Sequence, residues 1–446
     1  MSDMRLLIVS LGESEVPAFV EISRQLEAQG YSTLIVTWLP RLAGPEVVAL
    51  ANTNGSEKDE SDESIDRVLE LSGISHPSMA ADFDRDWHFA SVGRKLDHVR
   101  RVSRSIAQVM DDYLPTHLIS SVGGETTRLV ADAFASARGI RRLYFNALPI
   151  PDRFVLMPSL DSPFVPWDPD GRPRPTPRGR QAQESLAASG LGPRQQNSDA
   201  RLIEQAKEGL ARIAALGSGP QRLYPSGWIL RKSVQTVRRR VMASHGGSTP
   251  NFGSGNVVNV LYPLHDERDF QVAVRERHAI PQENLLLYVS SVLRPGHHLW
   301  IKPHPEHAAD HHPVLWRRLA ARPNVSFLPA NMGFKEAVEQ SDVVFTLASS
   351  LGFEALRLKK PVVCYGSPFY SRRGLTIDVS DIRDIPEAIS NALVSRTDKT
   401  LIEDLKEHML EISWSGRFTP LDNSPQNLSL LTAGVVDALV GGGPHA

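Results

Sequence analysis

RLLIVSLGESEVPAFVEISRQLEAQGYSTLIVTW, residues 5–38, decides the fold class. RLLIVS is an almost continuous apolar run, as a strand buried on both faces requires. LGESEV is a polar loop, and VPAFVEISRQLEAQG carries apolar residues at helical spacing and ends on Gly. STLIVTW is the next strand. A strand, a helix and a second buried strand in this order predict a parallel sheet covered by helices.

The pattern continues outward. Residues 88–112 have one or two helices' worth of periodicity, HLISSV (117–122) is a strand, and GGETTRLVADAFASARGI leads into an amphipathic helix. RRLYFNAL (141–148) is the strand after it, so the first ~150 residues are expected to be doubly wound. The acidic run 54–66 and the Pro-, Arg- and Gly-rich residues 163–199 are expected as surface loops. Residues 200–243 are helical in pattern, and SHGGSTPNFGSGN (244–256) has linker composition.

A second α/β pattern follows. VVNVLYPL (257–264), HHLWIKPHP (297–305), NVSFLPA (324–330), SDVVFTLA (341–348) and PVVCYG (361–366) are expected strands. FQVAVRERHAI (270–280), ENLLLYVSSVL (283–293), FKEAVEQ, SSLGFEALRLKK, PEAISNALV and residues near 426–440 are expected helices. The predicted architecture is α/β, with a first domain over 1–245 and a second over 256–446. The last helix is expected to pack back on the first domain.

Composition narrows the function. The chain has 446 residues, 41% of them hydrophobic, enough for two cored domains. A formal net charge of -2 argues against nucleic acid as a partner. One cysteine, Cys364, excludes a disulfide within the chain and fits a reducing compartment. The start, MSDMRLLIVSLGESEV, has no cleavage-type signal pattern, and no run reaches the ~20 apolar residues of a membrane span. A cytoplasmic protein is expected, free or at the inner face of the membrane.

Three segments of the second half fall at carboxyl ends of expected parallel strands, the edge where ligands bind in open α/β sheets. In SSLGFEAL (349–356), Ser349 and Ser350 can cap a helix, whose free N–H groups and dipole suit an anion. Gly352 would permit close approach of a ligand. Glu354 lies further in and suits sugar hydroxyls. The competing reading is an ordinary helix cap with a solvated acid. In KPHP (302–305), two prolines stiffen a turn that presents Lys302 and His304. A permanent charge and a tunable donor both suit a phosphate. GSPFYSRRGLT (366–376) adds Tyr370, Arg372 and Arg373 in a basic loop.

KPHP followed by SSLGFEALRLKKPVVCYGSPFYSRRGLT resembles the bacterial capsule polysaccharide biosynthesis family. YPLHDERD (262–269) resembles the family's Pro-Leu-Gln…Asp segment, with His265 where Gln is expected, and SRR stands before Gly374 where a small residue and a Trp are expected. The resemblance is good over 257–380 and weak in the first half. It implies a GT-B glycosyltransferase, two Rossmann-like domains facing across a cleft, that transfers Kdo (3-deoxy-manno-octulosonic acid) with retention from its CMP-activated form. It implies that Lys302 and His304 contact the donor phosphate, that Ser349 and Ser350 close on it, that Glu354 contacts the ribose, and that Tyr370 and Arg372 line the cleft. No cofactor is implied beyond a nucleotide-sugar donor, most simply CMP-linked.

The first domain is then expected to bind a glycan or lipid-linked acceptor. A retaining route through a covalent intermediate needs a carboxylate nucleophile and a group for proton transfer. Glu13 and Glu125 follow expected strands and are preferred by placement, with Asp152 and Asp161 as further candidates; none is singled out. HEAADHH (306–312) has metal-like composition but sits beside a turn, and no metal is expected. RKSVQTVRRRVM (231–242), preceded by Trp228 and Ile229, suits an anionic membrane surface, against the reading of a solvated helix face. A capsule assembly or export complex is a further expected partner. The rival functions are a sialyl- or polyol-phosphate-type transferase using another CMP, CDP or UDP donor, and a non-catalytic GT-B scaffold.

Overall fold

The computed structural model describes residues 4–50, 61–163, 165, 234, 252, 257–267, 269–276, 279–304, 313–329, 332–419 and 421–441. The expected linker at 244–256, apart from Phe252, lies outside these residues. So do HEAADHH and the basic stretch with Trp228 and Ile229, apart from Val234. The described residues form two compact units. One takes those within 1–164 and 409–446, the other Val165 and those within 229–408. The division at 408/409 falls inside the segment 256–446 that the sequence pattern groups as one domain.

The first unit holds a seven-stranded sheet. β1 (Arg5–Val9), β2 (Ser32–Thr37), β3 (Val47–Ala49), β4 (His117–Ser121) and β5 (Arg141–Ala147) are parallel. β6 (Arg153–Met157) and β13 (Trp414–Ser415) add antiparallel at one edge. The order is β13-β6-β5-β4-β1-β2-β3, so the winding reverses between β1 and β4. The helices are α1 (Glu15–Glu27), α2 (Asp62–Leu71), α3 (Val92–Tyr113) and α4 (Thr126–Ala137). The end of the acidic run 54–66 is not loop. Ser61 Oγ accepts the Ser64 N–H, Asp62 and Glu63 sit in the favoured first turn, and Ile65 and Leu69 are buried. RFVLM, which no expected element covers, is β6, buried at every position.

The second unit holds six parallel strands in the order β12-β11-β10-β7-β8-β9. They are β7 (Val258–Pro263), β8 (His297–Lys302), β9 (Val325–Phe327), β10 (Val343–Thr346), β11 (Val362–Cys364) and β12 (Ile377–Asp378). The winding reverses between β7 and β10. The helices are α5 (Gln282–Val292), α6 (Pro313–Ala320), α7 (Phe334–Gln340), α8 (Leu351–Arg357), α9 (Ile385–Val394) and α10 (Lys399–Glu411). The helix expected over 270–280 is a five-residue π-helical turn, Gln271–Arg275. Its wider winding leaves Glu276 where one carboxylate oxygen accepts the Ser367 N–H at 2.6 Å.

Each unit has its own core. Val260, Tyr262, Leu285, Ile301 and Phe345 lie in that of the second. In the first, Leu6, Ile8, Phe19, Phe145 and Phe154 pack with Leu431 and Val435 of α11 (Pro425–Gly441). The expected return of the last helix is therefore observed. Gly434 makes it fit, since a Cβ there would stand 2.6 Å from Phe154 Cζ.

Candidate functional site

At the carboxyl edge of the second sheet, the ends of β7, β8 and β10 bring together His265, Lys302 and the 346–350 turn. Gln282 pins His265 by its backbone: its Oε1 accepts the His265 N–H at 2.9 Å and its Nε2 donates to the His265 carbonyl at 3.0 Å. His265 Nε2 in turn accepts the Ala348 N–H at 3.3 Å. That bond needs a neutral ring. Burial, and then the charge of His304, push the His265 pKa down to about 4.

Lys302 is the last residue of β8 and is 6% exposed. Its ammonium has no hydrogen-bond or ion-pair partner among the described residues. Burial lowers its pKa. A buried cation without a counter-charge costs stability unless a ligand supplies one. His304, two residues on, is half-buried.

The helix tip divides its serines. Ser349 is buried; its Oγ accepts the Leu351 N–H at 3.2 Å, and its own N–H donates to Thr346 Oγ1 at 3.1 Å. Its hydroxyl thus serves the first N–H of α8, although the N-cap position itself is Ser350. Ser350 is exposed, and its hydroxyl makes no cap bond.

Three expected ligand contacts are placed otherwise. Tyr370 does not line an open surface: it is wholly buried and donates its hydroxyl to the Ser349 carbonyl at 2.5 Å. Gly352 makes room for that ring rather than for a ligand, because a Cβ there would lie 1.9 Å from Tyr370 Oη. Glu354 is turned along α8 to Arg357, at 3.0 Å from each of its oxygens. Of the loop arginines, Arg372 is exposed, with φ 57 and its N–H on Asp378. Arg373 points inward, 2% exposed, donating to the carbonyls of Phe369 and Val165 at 2.8 and 3.0 Å.

This edge lies inside the part of the chain that a family model matches. Residues 218–408 match the model of the family described as capsule polysaccharide biosynthesis protein. The lipopolysaccharide-processing protein LpsZ of Rhizobium meliloti is 24% identical over 180 residues, 40% of this chain. The match spans only 36% of that protein's length. Among solved structures, the chain is similar to two of Thermosulfurimonas dismutans KpsC. The β-Kdo 2,7-transferase is 12% identical, with 98% of this chain and 99% of that one covered, at a TM-score of 0.38. The β-Kdo 2,4-transferase is 16% identical, with 72% and 87% covered, at 0.35.

Outside the matched segment, the first unit has its own polar edge where the winding reverses between β1 and β4. Glu13 is held by Arg41, whose Nε and guanidinium nitrogen lie 3.0 and 2.9 Å from Glu13 Oε1. Glu125 reaches the Arg128 guanidinium at 2.6 Å. On its other side Arg128 binds Glu15 at 2.7 and 3.0 Å. A Cβ on Gly123 would strike Glu125 Oε2 at 2.0 Å, so only glycine allows this fold-back. Burial alone would raise the Glu15 pKa. Arg128, the Ser121 hydroxyl and the Leu11 and Gly12 N–H groups outweigh it and hold the carboxyl below its ordinary value. Both preferred nucleophile candidates are thus paired to arginines.

Asp84 caps α4 from a distance, accepting the Thr126 N–H and hydroxyl at 3.0 Å each. Burial and the neighbouring Asp86 raise its pKa to about 6. Of the other two acids, Asp152 is bound by Arg417 at 2.7 and 3.0 Å, and Asp161 is exposed. A pocket of about 200 Å³ opens beside Glu15, between Ser14, Ser121 and Asn146 on one side and Phe418 and Thr419 on the other.

Sequence reasoning missed Glu15, Arg128, Asp84, Glu276 and Asn146. Only Asn146 leaves a local trace, as a polar residue interrupting the apolar end of RRLYFNAL. Among the described residues, no three His, Cys, Asp or Glu side chains are placed to hold a metal ion, and no helix is long and apolar enough to cross a membrane.

Proposed function

We propose that the chain is a glycosyltransferase of capsule or surface-polysaccharide synthesis, with its nucleotide-sugar donor at the edge formed by His265, Lys302, His304 and the 349–350 tip. The observation that carries this is Lys302. It is a nearly buried lysine without a counter-charge among the described residues, at a strand end in the segment that matches the capsule-synthesis family. An anion is the ligand such a group lacks. Ser350 is the hydroxyl left open toward that anion, and His304 the second donor. The finer reading is transfer of Kdo from CMP-Kdo with retention. It is supported by the KPHP and GFEAL…GLT segments, and LpsZ and KpsC are names in keeping with it. A glycan or lipid-linked acceptor and a site of action at a membrane or export complex belong to the same reading.

A second reading has one observation in its favour. Glu13 and Glu125 are both engaged by arginines, which suits a chain that binds donor or glycan without turning it over. Calorimetric titration of CMP, UDP, GDP and CDP into wild type, Lys302→Ala and His304→Ala separates the outcomes. Selective CMP binding lost in the variants supports the donor site. A preference for UDP or GDP removes CMP-Kdo. CMP binding without release of CMP from any CMP-sugar favours the non-catalytic chain, and no nucleotide binding at all would falsify the donor site.

A further inference from the structure

We propose that the pocket of the first unit holds one uncharged sugar ring; that this is a ring of the acceptor rests on the transferase reading above. Asn146 is 9% exposed and lines the pocket. Its amide nitrogen reaches only Met157 Sδ, at 3.5 Å, and its carbonyl has no partner among the described residues. A buried amide in this state is a donor and an acceptor awaiting a ligand. The hydroxyls of Ser14 and Thr419 are likewise unpartnered among the described residues, and Ser121, which donates to Glu15, keeps its lone pairs. Phe418, stacked at 4.7 Å on Phe145, supplies an apolar face. Hydroxyls and an amide of both hydrogen-bonding senses against an aromatic face suit a pyranose.

Charge decides against an acid. Glu15 stands in the pocket wall with both oxygens already filled, by Arg128, Ser121, Leu11 N–H and Gly12 N–H. It has nothing to offer a ligand proton and would repel a carboxylate or phosphate. Arg128 is consumed by Glu15 and Glu125 and offsets no third anion. The volume of about 200 Å³ admits one ring and not a nucleotide.

Saturation-transfer NMR on the full chain tests this. The probes are methyl glycosides of glucose, galactose, rhamnose and N-acetylglucosamine, against methyl glucuronide and free Kdo. At least one neutral glycoside is expected to receive saturation, and the two acids little. Thr419→Val, close to isosteric, should weaken the neutral ligand about three- to tenfold. Asn146→Asp should weaken it more than tenfold. Absence of transfer to every neutral glycoside, stronger binding of an acid, or affinity unchanged in Thr419→Val overturns the proposal. CMP, UDP, GDP and CDP titrated into the same sample report on the second unit. A nucleotide bound with no neutral sugar overturns the pocket and leaves the transferase reading; sugar bound with none of the four nucleotides supports the pocket and removes that reading.

Discussion

Asp152 and Arg417 form a two-pronged ion pair, Nε to Oδ1 at 2.7 Å and a guanidinium nitrogen to Oδ2 at 3.0 Å, between residues 265 apart in sequence. Asp152 sits at φ 56, in the left-handed region, in the turn before β6. The Gly416 N–H donates to the Asp152 carbonyl at 2.9 Å, so side chain and backbone both clasp the returning C-terminal segment. Arg417→Ala removes this two-pronged partner from Asp152, whose side chain is 16% exposed. We expect a loss of about 1–2 kcal/mol in urea unfolding. A double-mutant cycle with Asp152→Ala should show coupling of similar size; additive effects would mean the pair is not formed in solution.

Lys302→Met should do two opposite things. It removes a buried charge and keeps the aliphatic stem, so the apo protein should gain about 0.5–2 kcal/mol. Nucleotide binding should fall at least tenfold, as loss of a charged hydrogen bond of about 1.5–3 kcal/mol implies. Melting curves and calorimetry on one preparation check both. A variant destabilised in the absence of ligand would show that the lysine already has a structural partner.

Gly352→Ala should disrupt the 349–352 turn although alanine favours helix. The new methyl would overlap the Tyr370 hydroxyl, and Tyr370 is fully buried with nowhere to retreat. Overpacking of this kind costs about 1–3 kcal/mol. The near-UV circular dichroism of the aromatic cluster, in which Phe353 and Phe369 also meet Tyr370, should change with it. A wild-type melt and spectrum would place Tyr370 elsewhere in solution.

His265→Gln restores the residue expected from family resemblance and has a physical rationale. An amide oxygen can accept the Ala348 N–H as the neutral imidazole does. The folded ring titrates at about 4, below the ordinary histidine value, so between about pH 6.5 and 4 the unfolded chain takes up a proton that the folded one refuses. Stability from this residue is present above pH 6.5 and lost as pH falls through that window. The glutamine variant should lose less stability between pH 7 and 5, with nucleotide binding at pH 7.5 retained. Identical pH slopes for variant and wild type would sink this account.

Asp84 has the opposite sign. Its folded pKa of about 6 exceeds the ordinary aspartate value, so the folded state holds an extra proton between about pH 4 and 6. Its contribution is full below pH 4 and lost as pH rises through 6. Asp84→Asn keeps an acceptor for Thr126, gives up the acceptor of the Asp86 N–H, and should flatten that part of the profile. The check is the pH dependence of the urea midpoint; a steeper profile would show that the carboxylate is needed ionised as the cap of α4.

The sequence by itself determined the parallel strands β1, β2, β4, β5 and β7 to β11, the carboxyl edge proposed for the donor and the positions of Lys302, His304 and Ser349 on it. These follow from buried strands as apolar runs, helices at their own period, and turns marked by Pro, Gly and Ser, all properties of neighbouring residues. The π-turn at Gln271–Arg275 and the helix opening at Asp62 escaped because hydrogen-bond winding and capping were set by contacts or short signals inside a misleading charge pattern. Only the tertiary structure decided which charges meet. Glu15 with Arg128, 113 residues apart, Asp152 with Arg417, and Tyr370 in the space left by Gly352 are partnerships across the fold. A single sequence shows which face of an element is apolar. It carries no record of which distant side chain fills a buried group's empty hydrogen bonds, and one such contact, Tyr370 on the Ser349 carbonyl beside Gly352, turned two expected ligand contacts into parts of the scaffold.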